Sequence, residues 1–263
     1  MKYEDKQGVC ILKNEMLIQK IEELSMNAFP SLETDHVDGW LLRISNGYSK
    51  RTNSINPLYE SNKETSEKME KAEHVYRKKN LPVIYKLTSH VFPENLDNIL
   101  AQANYSFESL TSVQLLPLNE ATLTFSPSSS FVIYNSLEDK WFDSFCELNR
   151  VRETDQPILK KMLENIVPQV CYVILFNDKD EVIACGMGVL EDGFIGLFDI
   201  ITSSNYRNKG YGIQLISAIL EWGKTNGAKN AYLQVVSDNI PALNLYAKMG
   251  FKEAYQYWYR IKK

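Results

Sequence analysis

The clearest chemical signal lies in Ile200-Ile201-Thr202-Ser203-Ser204-Asn205-Tyr206-Arg207-Asn208-Lys209-Gly210-Tyr211-Gly212-Ile213. An apolar, strand-like run enters a polar loop containing Arg-x-x-Gly-x-Gly, and a helical pattern follows. This order of elements builds an anion site. The first backbone N–H groups of a helix have no partners inside it and lie at the positive end of its dipole. Gly210 and Gly212 allow close approach of the backbone to a phosphate. Arg207 and Lys209 add positive charge to a chain of formal net charge -4. The third glycine of GxGxxG is missing and no Gly-Lys-Ser/Thr follows, so neither a dinucleotide fingerprint nor a Walker A loop is present.

A second stretch follows downstream, Asn239-Ile240-Pro241-Ala242-Leu243-Asn244-Leu245-Tyr246-Ala247-Lys248-Met249-Gly250-Phe251. Together the two resemble the GNAT superfamily of acyl-CoA-dependent N-acyltransferases. The family's Arg/Gln-x-x-Gly-x-Gly/Ala motif falls on residues 207–212. Its Asn-x-x-Ala-x-x-Leu-Tyr-x-x-x-Gly-Phe motif falls on Asn239, Ala242, Leu245, Tyr246, Gly250 and Phe251. The likeness covers roughly residue 137 onward.

The resemblance implies an α+β fold of three-layer α/β/α type, with a central mixed, mostly antiparallel sheet. It implies acetyl-CoA as co-substrate and no metal. The strand carrying Ile200, Ile201 and Thr202 would splay from its neighbour and hold the pantetheine arm. The amides of Arg207, Asn208, Lys209, Gly210, Tyr211 and Gly212 would cradle the pyrophosphate. Asn239 would hydrogen-bond the pantetheine region, and Tyr246 would lie near the thioester sulfur as general acid. The implied reaction is direct attack of a small molecule's primary amine on the thioester within a ternary complex. Two other functions fit the same motifs: a non-catalytic acyl-CoA sensor or scaffold, and a protein or peptide N-acetyltransferase.

Such a reaction needs a base for the ammonium proton. All three histidines, His36, His74 and His90, lie in the first half. Asp199 is a candidate because it precedes Thr202 on the strand beside the acetyl group; the other reading is a hydrogen-bonded strand carboxylate or one facing water. Glu153 and Asp155 fall between two helical patterns, where the family builds its acceptor pocket. They read equally as a solvated loop or a helix cap.

The surrounding elements follow from periodicity and turn residues. Helices are predicted over 14–28, 63–79 and from Pro93, and strands over 40–44, 83–88 and 105–118. Residues 121–130, rich in Ser, Thr and Pro, read as a linker. Beyond it, helices are predicted over 139–149, 157–166, 212–226 and 239–249. Strands are predicted over 170–176, 182–190, 194–202, 231–236 and 251–261.

A weak repeat relates the halves. Asp38-Gly39-Trp40 resembles Asp192-Gly193-Phe194, and residues 99–105 match 245–251 in type and order. Two tandem GNAT-like units are expected, a degenerate one over 1–122 and a catalytic one over 130–263. Residues 51–68 contain no Gly-x-Gly, so the first unit should not bind CoA. Its Arg51, Asn53 and Ser54 are candidates for the acceptor pocket, or else for capping backbone groups.

Composition excludes several classes. With 263 residues, 44% of them hydrophobic and 24% charged, the chain resembles an ordinary globular protein of one or two domains. No apolar run approaches the roughly 20 residues of a membrane span, and no dense Lys/Arg cluster marks a nucleic-acid binder. Cys10, Cys146, Cys171 and Cys185 form no CxxC pair and read as reduced thiols. The expectation is a cytoplasmic monomer or homodimer without membrane or nucleic-acid partners.

Overall fold

The computed structural model describes residues 6–121, 123 and 130–262, with side chains from residue 14 onward. Most of the expected linker, and the side chain of Cys10, lie outside the described residues. The helices are α1 (Lys6–Ala28), α2 (Thr65–Lys78), α3 (Leu96–Gln102), α4 (Asp139–Asn149), α5 (Gln156–Glu164), α6 (Tyr211–Thr225) and α7 (Ile240–Lys248). The strands of the first half are β1 (Glu33–Val37), β2 (Trp40–Ile44), β3 (Ile55–Pro57), β4 (Val83–Thr88) and β5 (Ser106–Pro117). Those of the second are β6 (Ser130–Tyr134), β7 (Gln169–Phe176), β8 (Val182–Glu191), β9 (Phe194–Thr202), β10 (Asn230–Val236) and β11 (Lys252–Lys262).

The chain divides into two compact units. Unit 1 comprises Met1–Met26, Ser31–Leu110 and Tyr255–Lys263; unit 2 comprises Asn27–Pro30 and Thr111–Ala254. In unit 1 the strand order is β1-β2-β3-β4-β11. β1, β2 and β3 pair antiparallel, β3 and β4 pair parallel, and β11 closes antiparallel on β4. In unit 2 the order is β6-β7-β8-β9-β10-β5. There β7, β8 and β9 pair antiparallel, β9 and β10 pair parallel, and β5 closes antiparallel on β10.

The two patterns are the same. Strands β1-β2-β3, helix α2, β4 and α3 correspond to β7-β8-β9, α6, β10 and α7. The closing strands are exchanged: β11, from the end of the second half, completes unit 1, while the greater part of β5 completes unit 2. The compact units therefore do not coincide with the covalent segments 1–122 and 130–263. The repeat also shifts by one strand from the alignment through the Asp-Gly turns. β2, which opens at Trp40, is antiparallel to both neighbours, and the counterpart of β9 is the short β3.

Each unit has its own core. In unit 1, Trp40, Leu42, Ile55, Tyr76, Tyr85 and Leu87 are buried together. Beside them lies a buried ion pair. Glu22 (2% exposed) and Lys86 (5% exposed) are hydrogen-bonded through Oε2 and Nζ. The Tyr255 hydroxyl donates to Glu22 Oε1 at 2.9 Å, and Lys86 Nζ lies 4.1 Å from the Tyr257 ring centroid. Breaking such a pair leaves one charge uncompensated in the interior. Lys86→Met is expected to cost about 3–5 kcal/mol in chemical denaturation, while Glu22→Gln combined with Lys86→Met recovers much of it. A double variant no more stable than the single one would remove the stranded charge as the cause.

Candidate active site: a strand splay above a glycine loop

The site of unit 2 starts as a gap in hydrogen bonding. β9 and β10 pair only from Phe194↔Asn230 to Leu197↔Leu233. Beyond that point each keeps its outer partner. β9 stays on β8 as far as Thr202↔Ala184, and β10 stays on β5 as far as Val236↔Thr111. The two strands diverge, and residues 198–202 turn a ladder edge towards the space between them. An extended chain bearing amides can use that edge as a strand would.

A bulge sits in the same stretch. The β8–β9 register jumps from Cys185↔Ile201 to Met187↔Phe198, so Asp199 and Ile200 oppose Gly186. Asp199 has φ 52°, in the left-handed region that an aspartate tolerates better than most side chains. Ile200 folds over Gly186, where an added Cβ would meet its Cδ1 at 2.6 Å. The Gly186 carbonyl accepts instead from Trp141 Nε1 at 3.1 Å, a bond from α4 across the kink. Asp199 is half-buried. Burial raises the Cys146 thiol to about 11, and the Tyr172 phenol and Cys185 thiol still further, with the charge of Asp199 contributing to each.

Below the splay lies the glycine loop. β9 ends in a 3-10 turn, Ser204–Tyr206, and the chain re-enters helix at Tyr211. Gly210 caps α6 with φ 85° and ψ -4°, no side chain caps the helix, and a Cβ there would meet nothing within 4 Å. No side chain therefore caps α6 at Gly210, and the space beside that residue is open. Asn208 is also left-handed, at φ 59°. Arg207 donates from Nε to the Thr202 carbonyl at 3.3 Å, tying loop to strand end. Lys209 Nζ stands 5.1 Å from the Tyr206 ring centroid.

Helix α7 closes the other side. A Cβ on Gly212 would meet Leu245 Cδ1 at 2.9 Å and Thr202 Oγ1 at 3.7 Å, so glycine loop, splayed strand and α7 converge there. Tyr246 is half-buried on α7 against Phe251, ring centroids 5.9 Å apart. Desolvation pushes its phenol up to about 12, which keeps it protonated at any physiological pH. Asn239 caps α7, its Oδ1 accepting from the Ala242 amide at 3.3 Å, and is otherwise exposed.

The acceptor candidates are placed differently. Asp155 pairs with Arg152 Nε at 2.7 Å at the start of α5, and Glu153 is exposed beside it. In unit 1, Asn53 is used up by its own loop. Its Oδ1 accepts from the Ser45 and Gly47 amides at 2.8 and 2.9 Å, and its Nδ2 donates to the Ser49 carbonyl at 2.8 Å. Of its two sequence readings, the structure uses the backbone-capping one. Arg51 contributes its carbonyl as acceptor for Arg43 Nη1 at 3.1 Å.

The counterpart loop of unit 1 is filled from within. The amides of Asn62 and Lys63 donate to Asp38 Oδ2 at 3.1 and 2.9 Å. Those bonds, the one from Lys63 foremost, hold the Asp38 carboxyl below its ordinary range. A side chain of the protein occupies the role that an external anion would take, and Glu64 and Glu67 add negative charge at the start of α2.

Sequence reasoning passed over Tyr206. Its hydroxyl donates to Glu181 Oε2 at 2.8 Å and accepts from Asn177 Nδ2 at 2.9 Å, pinning the loop to the β7–β8 turn. The bond to Glu181 raises the Tyr206 phenol, and bonds from Asn177 and Tyr206 lower the Glu181 carboxyl. The signal was present as an aromatic among polar residues just before Arg207. Among the described residues no group of three or more His, Cys, Asp or Glu is placed to hold a metal ion, and no helix is long and apolar enough to cross a membrane.

Comparison with known proteins decides the family. A family model described as "Probable histone acetyltransferase Rv0428c C-terminal" matches residues 16–260. The "Uncharacterized N-acetyltransferase YobR" of Bacillus subtilis is 30% identical over 249 residues, 94% of this chain and 99% of that protein.

The chain belongs to the GNAT superfamily of N-acetyltransferases.

Solved GNAT structures carry the same fold. A GCN5-related N-acetyltransferase from Kribbella flavida superposes with TM-score 0.68 at 14% identity, covering 93% of this chain and 95% of that one. A tandem GNAT protein from the clavulanic acid biosynthesis pathway superposes with TM-score 0.61 at 12% identity, covering 74% and 69%. The GNAT fold explains why one splay and one glycine loop lie together in unit 2: both belong to the β9-α6-β10-α7 segment.

Proposed function

We propose that the protein transfers the acetyl group of acetyl-CoA to the primary amine of a small molecule, by direct attack in a ternary complex. One observation carries the reading: the β9–β10 splay opens directly above an uncapped helix N-terminus with Gly210 at positive φ. The edge formed by Ile200, Ile201 and Thr202 suits the amides of pantetheine. The amides of residues 207–212, with Arg207 and Lys209, suit the pyrophosphate.

The reaction forms an N–C bond and breaks a C–S bond. A backbone amide of the splayed β9 stabilises the oxyanion of the tetrahedral intermediate. Asp199 takes the ammonium proton, directly or through water, and Tyr246 gives its proton to the leaving thiolate.

Calorimetric titration with acetyl-CoA, run beside a thiol-release assay over a panel of small amines and peptides, tests the proposal. Binding with turnover on a small amine supports it. Binding with no turnover on any acceptor class replaces it with an acyl-CoA sensor. Turnover confined to peptides replaces it with the peptide-acetylating reading, towards which the name of the matched family points.

A further inference from the structure

The glycine loop of unit 2 is poorly held from within. Asn208 at φ 59° and Gly210 at φ 85° are both left-handed, and no side chain caps α6. Ordering such a loop at the moment of binding subtracts from affinity, so a loop that binds tightly must be held in place beforehand.

The residue just before the motif supplies that hold. The Tyr206 hydroxyl belongs to a closed triangle of hydrogen bonds. It donates to Glu181 Oε2 at 2.8 Å and accepts from Asn177 Nδ2 at 2.9 Å, while Asn177 Nδ2 also donates to Glu181 Oε2 at 2.8 Å. Bonds to an ionised carboxylate are the stronger kind. The far corner of the triangle is itself fixed: Asn177 is 6% exposed, and its Oδ1 accepts from the amides of Lys179 and Glu181 at 2.9 Å each.

The ring of Tyr206 acts on the loop directly. It meets the ring of Tyr211, the first residue of α6, edge to face with centroids 6.0 Å apart. The two residues flanking 207–210 are thus in contact and close the loop at its base. Lys209 Nζ lies 5.1 Å from the Tyr206 centroid, within reach of a cation–π interaction. Among the described residues no carboxylate forms an ion pair with Lys209, so its charge is left for a ligand.

We infer that Tyr206 is a positioning residue of the cofactor site: anchored by Glu181 and Asn177, it presets the loop 207–212 and holds Lys209 towards the phosphates of an acyl-CoA. The inference rests on the reading of this loop as the acyl-CoA site.

Calorimetric titration of the full chain with acetyl-CoA tests it. Tyr206→Phe, which removes the hydroxyl and keeps the ring, is expected to bind about tenfold more weakly, the worth of about one hydrogen bond to a charged group. Tyr206→Leu, which also removes the ring beneath Lys209, should lose about threefold more. Glu181→Ala should match Tyr206→Phe, and the double variant should lose little beyond either single one, because both cut the same bond. Glu181→Gln keeps a carbonyl oxygen for the Tyr206 hydroxyl and is expected to retain most of the native affinity, a rescue that loss of charge alone would not give. Amide hydrogen exchange without ligand adds a reading independent of acetyl-CoA: residues 207–212 should exchange faster in Tyr206→Phe, with the interior of α6 unchanged. If the native chain binds acetyl-CoA but Tyr206→Phe binds it as tightly, or exchanges no faster, or if Glu181→Gln loses as much as Glu181→Ala, the inference falls and the proposed function stands. If the native chain binds no acetyl-CoA, the proposed function falls and takes the inference with it.

Discussion

Gly212→Asp is expected to bind acetyl-CoA about a thousandfold more weakly than the native chain while folding at least as well. Two effects of one carboxylate act in opposite directions here. Position 212 lies in the first turn of α6, where a negative side chain interacts favourably with the helix dipole by about 0.3–1 kcal/mol. Sterically, the one tight contact of the new Cβ is with the far end of Leu245 at 2.9 Å, which a rotamer change relieves; Thr202 Oγ1 at 3.7 Å is ordinary contact. In the proposed complex the same carboxylate lies beside the pyrophosphate. Two like charges about 4 Å apart at an effective dielectric near 20 repel by about 4 kcal/mol, close to a factor of 10³ in affinity. Gly212→Asn keeps shape without charge and is expected to lose far less. Calorimetry on both variants, with thermal unfolding as the fold check, separates charge from bulk. Equal losses for Asn and Asp would mean that shape, not phosphate, sets the requirement for glycine.

The elements around the candidate site were legible because they are local. The strand predicted over 194–202 is the β9 of the structure, since its long apolar run is bounded by Asp192-Gly193 and a polar loop. The loop carries its motif within residues 207–212, and α7 with its flanks within residues 239–251. What escaped was short or non-local. β3 is only Ile-Asn-Pro, too brief for a period-two pattern, and Pro57 argues against a strand. Its omission shifted the repeat by one strand. β1, Glu33–Val37, is mostly exposed and polar and so lacks an apolar signal. The exchange of β5 and β11 between units leaves no trace in either strand's own composition. It is a property of pairing, and a linker at residues 121–130 suggests a covalent boundary that the packing does not follow.

Loss of the phosphate loop in unit 1 is likewise clearer in space than in sequence. Absence of Gly-x-Gly suggested a unit unable to bind CoA. In the structure Asp38 accepts the loop amides of Asn62 and Lys63. An incoming phosphate would have to displace a carboxylate held by two backbone bonds. In unit 1 two of the amides at the counterpart loop are thus already taken by a side chain of the protein.

Tyr246→Phe is expected to lower kcat by about a hundredfold with little change in KM. General acid catalysis contributes typically 10²–10⁴. A thiol with a pKa near 8.5 leaves comparatively well as its anion, which places the loss at the lower end of that range. In the proposed mechanism the hydroxyl acts only as negative charge gathers on sulfur, so its removal falls on kcat rather than on substrate binding. The pH profile gives a second, independent reading. An ordinary tyrosine loses its proton near 10, but desolvation holds Tyr246 up to about 12. The native enzyme should therefore show no fall in kcat attributable to this phenol between pH 8 and about 11. Phenylalanine preserves the ring that packs on Phe251, so the variant should unfold at a temperature close to that of the native chain. A folded Tyr246→Phe enzyme with unchanged kcat would assign protonation of the thiolate to solvent, and Tyr246 would then be a packing residue of α7.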